Sequence, residues 1–191
     1  HWKGGLCCRM RKIHINENGR VSGGTDCEEF YECIKDLASH PIVQEMKNYI
    51  QHGTTTCYQH CLSVAYYNYK ICRRLGLDAR SAARAGMLHD LFLYDWHDHA
   101  KKTGNHFHGL THPREALKNA RKHFVLTSLE EEMIKKHMWP LTPVPPVRAE
   151  SLVICMTDKY CSTCETVGDR HRMFYQRFEL YRKLIHLFQG A

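Results

Sequence analysis

The stretch Ala85-Gly86-Met87-Leu88-His89-Asp90-Leu91-Phe92 sets an imidazole beside a carboxylate at the end of an alanine-rich apolar segment. Adjacent residues on a helix point about 100° apart, so two such side chains converge on one centre most readily where the helix ends and the backbone turns. Upstream, Asp78 is placed to cap a helix through Ala79, Ala82, Ala83, Ala85 and Gly86, whose small side chains allow close approach to neighbours. A helix of this kind can be buried and can deliver His89 and Asp90 to an interior site. His97-Asp98 repeats the dipeptide inside a polar stretch, so the dipeptide alone decides nothing and its helix does.

Outward from that helix the same period recurs. Thr25 with Glu28 has the form of a capping box, and Phe30, Cys33, Ile34 and Leu37 follow at helical spacing, which predicts a helix over 26–39. Pro41 can open a second helix carrying Ile42, Val43, Met46, Tyr49 and Ile50 to a stop at Gly53. Beyond the Thr54-Thr55-Thr56 cap, a long helix with Cys57, Cys61, Val64, Tyr67 or Asn68, Ile71 and Leu75 on its apolar face closes at Gly76, and His60 lies on or beside that face. Residues 91–110 are polar and histidine-rich and read as a loop or lid, with His97, His99, His106 and His108 as solvated side chains. Thr111 caps a helix beginning at His112, and Ser128 with Glu131 opens another that runs to His137 before Trp139-Pro140 breaks it. Arg148 to Val167 predicts a helix with Leu152 to Met156 apolar almost all round, and Asp169 caps a last amphipathic helix. No strand series and no repeat is visible. The expected fold is an all-α, single-domain helical bundle over 25–191, preceded by an N-terminal arm or remnant over 1–24.

Composition narrows the setting. The 191 residues suffice for one domain burying roughly 70% of the surface that its unfolded form exposes. The ten cysteines lie mostly within helical patterns and read as reduced thiols of a cytoplasmic protein; Cys161 and Cys164 lack a second pair for a zinc site and read as two thiols on one helix face. No apolar run approaches ~20 residues and no secretory leader opens the chain, so no membrane partner is expected. A formal charge of +7 and a pI near 8.9 suit an anionic partner such as a nucleotide, with nucleic acid not favoured.

His60, His89-Asp90, His112, His137 and Asp158 thus fall near the ends or inward faces of five helices, and a bundle is suited to projecting such side chains into one interior site. Mixed imidazole and carboxylate ligands fit Fe, Mn, Zn, Co or Ni better than a structural thiolate zinc. His108, four residues before His112, competes for its place.

The ordered set resembles the HD-domain superfamily of metal-dependent phosphohydrolases, in which a helical His, a later His-Asp pair and a final helical Asp hold a metal. The matching stretches are His60-Cys61-Leu62-Ser63-Val64-Ala65, Met87-Leu88-His89-Asp90 and Val153-Ile154-Cys155-Met156-Thr157-Asp158, within a core motif region of about 55–165. His112 and His137 are similar to the two added ligands of the binuclear subgroup, to which diadenosine tetraphosphate hydrolases and cyclic-dinucleotide phosphodiesterases belong. The Glu-Asp motif of guanosine tetraphosphate hydrolases is absent, since Leu91 to Asp95 reads Leu-Phe-Leu-Tyr-Asp, and so is the Gly-Tyr-Pro signature of cyclic di-guanylate phosphodiesterases. Met138-Trp139-Pro140 follows His137 where the dinucleotide hydrolases have a Thr.

The resemblance implies one or two divalent transition metal ions, two being favoured: His60, His89, Asp90 and Asp158 about one, His112 and His137 about the other, with Asp90 bridging. It further implies hydrolysis of a phosphoester or phosphoanhydride of a nucleotide or small phosphorylated metabolite by metal-activated water. Arg114, Lys135, Lys136 and Lys159 lie within a turn of these ligands and are candidates to neutralise substrate phosphates, Arg114 and Lys159 foremost with Asp90 as the catalytic set. Two alternatives stand beside this reading: a di-iron oxygenase with the same ligands on the same fold, and a non-catalytic nucleotide- or RNA-binding domain.

Overall fold

The computed structural model describes residues 25–93 and 108–168. The expected N-terminal arm, most of the histidine-rich loop and the helix after Asp169 lie outside the described residues. Within them the chain is helical, with one two-stranded hairpin: α1 (Thr25–Ala38), α2 (Pro41–Gln44) followed by a 3-10 turn (Glu45–Asn48), β1 (Ile50–His52), β2 (Thr55–Thr56), α3 (Cys57–Leu75), α4 (Ala79–Leu88), α5 (His108–His123), α6 (Ser128–Lys136) and α7 (149–168). The all-α reading holds. None of these helices is long and apolar enough to cross a membrane.

The helix ends follow local chemistry. Thr56 caps α3 through a reciprocal capping box with Gln59, and Gly76 closes it in the left-handed conformation at φ 69°. Asp78 accepts from the Ser81 amide to start α4, which stops at His89, where the sequence places it. On α6 the box is Thr127 with Glu130, one residue earlier than the Ser128–Glu131 pairing expected. The register is decided by what the carboxylates reach: Glu130 is buried and also accepts from Arg84, while Glu131 turns outward to Arg121.

Four further expectations are corrected. The helix sought from Pro41 to Gly53 ends at Gln44, because Tyr49 turns extended (φ −111°, ψ 130°) and Gly53, at φ 56°, reverses the chain into the antiparallel β1–β2 hairpin. The buried face of α3 turns away from Ile71 and Leu75, both exposed, toward Asn68, Tyr69 and Cys72. There Asn68 donates to the Ala82 carbonyl and accepts from Thr157, so polar pairing draws the helix round. Helix α5 is already formed at His108, with Pro113 inside it instead of in its first turn. Finally, α7 is not apolar all round in its setting: Val153, Ile154 and Cys155 are buried while Leu152 and Met156 are exposed.

The core is built from Phe30, Ile34 and Leu37 of α1, Cys61 and Val64 of α3, Met87 and Leu88 of α4, Met133 and Ile134 of α6, and Ile154 of α7. Helix α4 lies at its centre and packs against α1, α3, α5 and α6. Its face toward α3 depends on Gly86, because a Cβ there would stand 2.6 Å from Ala65 Cα, 2.8 Å from Ala65 N and 2.9 Å from Asn68 Nδ2. Arg84, on another face, clamps α1 and α6 by ion pairs to Asp36 at 2.7 Å and Glu130 at 3.0 Å. The Ala65 backbone cannot yield as a flexible side chain would. Gly86→Ala is therefore expected to destabilise the fold by about 1–3 kcal/mol in denaturant unfolding; an unchanged midpoint would show that α3 and α4 are not so tightly apposed.

Candidate metal centre

Six of the residues singled out by spacing meet at the inner end of α4. His60 comes from α3, His89 caps the C-terminal end of α4 and Asp90 follows it; His112 projects from α5, His137 caps the C-terminal end of α6 and Asp158 lies on α7. All six are buried, and His60, His89 and His137 show 1% exposure or less. Two helix ends orient two of the rings in the same way. His89 Nδ1–H donates to the Gly86 carbonyl and His137 Nδ1–H to the Ile134 carbonyl, each at 2.8 Å and each using an orphan carbonyl of the helix's last turn. A carbonyl can only accept, so Nδ1 of both rings carries hydrogen, and in the neutral imidazole Nε2 presents a lone pair inward.

Those inward atoms converge on Asp90. His60 Nε2 and His89 Nε2 stand 3.9 and 3.5 Å from its Oδ2, and His112 Nε2 and His137 Nε2 stand 3.3 and 3.5 Å from its Oδ1. Asp158 Oδ1 closes the first group, 3.2 Å from His60 Nε2 and 3.7 Å from His89 Nε2. In the second group the two Nε2 atoms of His112 and His137 are 2.9 Å apart. The donors thus form two groups that share one carboxylate, His60–His89–Asp90 and Asp90–His112–His137.

His89 Nε2 and Asp90 Oδ1 are fully buried with no hydrogen-bond partner among the described residues. A buried polar atom left unpaired costs about 1–3 kcal/mol, and a lone pair facing a carboxylate oxygen at 3.5 Å is repulsive unless positive charge lies between them. The donor set therefore fits a divalent cation with nitrogen and oxygen preferences. The titration behaviour carries the same demand for positive charge. Burial acts to raise the Asp90 carboxyl, yet His89, His112 and His137 outweigh it and hold it well below the usual carboxylate range. Burial is likewise overcome at Asp158, by His60 and His89, and at His60, where hydrogen bonds to Asp158 and Glu165 hold the imidazole well above its ordinary value. His137 is pushed down to about 3 by burial and by the neighbouring His89, so it stays neutral and ready to donate its lone pair.

Three participants lay outside the spacing argument. Glu165 Oε2 accepts from His60 Nδ1 at 2.9 Å and orients that ring as the backbone carbonyls orient the others. It lies seven residues after Asp158 on the same face of α7, a signal that the sequence carried. Gln51, on β1, donates to Asp90 Oδ2 at 2.6 Å, and half-buried His52 sets its ring against His60. Neither was legible while this segment read as helix.

The candidate phosphate-binding cations divide. Lys159 stands at the rim, its Nζ donating to the His137 carbonyl at 3.0 Å and 3.9 Å from Asp158 Oδ2. Lys136 pairs with Glu132 at 3.8 Å, while Arg114 and Lys135 line an outer groove and are not gathered at the centre. His112 occupies the ligand position; the side chain of His108 lies outside the described residues. None of the described cysteines, Cys161 and Cys164 included, is in a disulfide.

A helical bundle gathering His, His-Asp and a distal Asp at one buried centre defines a class, and the profile of the HD domain family matches residues 57–162. The chain belongs to that family. Among named proteins it is similar to the Bacillus subtilis (strain 168) protein called "Putative phosphohydrolase YueE", with 30% identity over 105 residues that cover 52% of this chain and 52% of the relative. The chain thus spans about half the length of that relative. No solved structure gives a significant match.

Removing the Glu165 carboxylate should loosen His60 without removing a metal donor. In Glu165→Leu, metal affinity measured by competition with a chelator is expected to fall roughly 10–100-fold, with Glu165→Gln retaining part of it as a hydrogen-bond acceptor. Affinity unchanged in both variants would show that the carboxylate does not hold the ring.

Proposed function

We propose that the protein is a metal-dependent phosphohydrolase acting on a nucleotide or small phosphorylated metabolite. One observation carries the reading: a buried carboxylate, Asp90, faces His60 and His89 with one oxygen and His112 and His137 with the other. Two divalent ions held by these groups and Asp158 would supply an acidified water and neutralise phosphoryl oxygens. Family membership and the named phosphohydrolase relative support the same reaction class.

The remaining duties fall to the chain. The Gly86 and Ile134 carbonyls and Glu165 hold three imidazoles with Nε2 inward, so little reorganisation is needed when charge develops at the centre. Gln51 pins Asp90 Oδ2 and leaves Oδ1 directed at the His112–His137 pair. Lys159, partly exposed at the rim, is placed to meet an entering phosphate, and the excess of basic residues favours anionic substrates.

The test joins metal analysis of the purified protein to phosphate release across a panel of nucleotides and phosphorylated metabolites, with Mn, Fe, Co or Ni supplied. Bound metal with release of phosphate is expected, and Asp90→Ala should lose both while keeping its helical circular dichroism. Less than one metal per chain and no release with any ion would refute the proposal. Oxygen uptake coupled to loss of a non-phosphorylated substrate would replace it with the di-iron reading.

A further inference from the structure

Helices α5 and α6 hold the second metal pair on their inner sides and make a groove of about 400 Å³ on another side. Its described lining is Arg114, Leu117, Lys118 and Arg121 of α5 and Lys135 of α6. Arg114, Lys118 and Arg121 recur at i, i+4 and i+7 and so share one face. Arg114 follows His112 by two residues and Lys135 precedes His137 by two, which sets each cation about 200° round its helix from the ligand. The groove is therefore separate from the metal centre and backs onto it through the same two helices.

Four cations around one concavity repel one another, and the local carboxylates only partly answer them. Glu131 is taken up by Arg121 in a two-pronged pair at 2.6 and 2.7 Å, and Glu115 stands 3.8 Å from Lys118, both of those side chains being largely exposed. Arg114 has no carboxylate partner among the described residues, and Lys135 shares only the Glu131 carboxylate that Arg121 already holds. Leu117 supplies an apolar floor between them.

We infer that this groove is a second binding site, for a small polyphosphate anion, in which Arg114 and Lys135 grip the phosphates from opposite walls and Arg121 and Lys118 extend the track. An arginine opposite a lysine suits phosphoryl oxygens, one by paired hydrogen bonds and the other as a point charge. A groove of this volume admits a short phosphate chain, not a folded partner. An occupant would tie α5 to α6, the two helices that hold His112 and His137 2.9 Å apart. The inference does not depend on the reaction proposed above.

The test titrates inorganic tripolyphosphate into the full chain stripped of metal, so that no cation at the centre can hold the probe, and follows heat and backbone amide shifts. Binding is expected, with shifts at 114–121 and 131–135, an affinity that falls with salt, and similar affinity for adenosine triphosphate because the phosphate chain is what is read. Arg114→Glu with Lys135→Glu should weaken binding at least about tenfold, and the milder Arg114→Gln with Lys135→Gln should weaken it in the same direction should the charge reversal unfold α5. Shifts confined to the surroundings of His60 and Asp90, undiminished binding in a folded double variant, or binding of adenosine triphosphate without tripolyphosphate would each overturn the inference. Asp90→Ala, which tests the metal reaction, should leave this binding intact.

Discussion

The arrangement of the molecule depends on the Asp90 carboxylate, buried among four imidazoles and held on one oxygen by Gln51. A charged group so enclosed is tolerated only where charge and hydrogen bonds answer it from several sides. Meeting that demand fixes where α3, α5, α6 and α7 must end or pass. It also explains why α4 must be narrow. Gly86 lets α4 lie against the Ala65 backbone, and the same Gly86 carbonyl holds the His89 ring, so close packing and ligand orientation are consequences of one residue.

Polar pairing shapes the core as much as apolar burial does. Asn68 and Thr157 join α3, α4 and α7 beside the metal centre, and Arg84 joins α1, α4 and α6 behind it. The segment following the His-Asp pair is held as well, since the Leu91 carbonyl accepts from Asn119 on α5 at 2.8 Å. The Asn68, Thr157 and Asn119 ties join elements that carry a donor to the centre, while Arg84 braces α4 and α6 against α1. The rigidity that a metal site requires is thus supplied by hydrogen bonds that are distant in sequence.

What the sequence made legible follows from the range of the forces involved. Caps are local chemistry, so Thr56, Gly76 and Asp78 were readable within a turn of their effect. The inward His and Asp residues were readable from their order and from the apolar helices carrying them. The hairpin at 50–56 was hidden because Ile50, its one apolar residue, continues the helical period of Ile42, Val43, Met46 and Tyr49, and only long-range closure against α3 and Asp90 decides between the two. Likewise the buried face of α3 was legible at Cys57, Cys61 and Val64, left open between Tyr67 and Asn68 and misplaced at Ile71 and Leu75, because Asn68 is drawn inward by partners on α4 and α7 that no local pattern names. Arg114 shows the limit of reasoning by proximity. Two residues from a ligand along a helix is the far side of that helix, and the groove it lines is a different place from the centre.

The central claim is that one carboxylate joins two cation sites. Crystals loaded with manganese and measured at its absorption edge test it most directly. Two anomalous peaks are expected, one beside each oxygen of Asp90, the first within reach of His60, His89 and Asp158 and the second within reach of His112 and His137. A single peak with Asp90 contributing one oxygen and His112 and His137 left outside would contradict it.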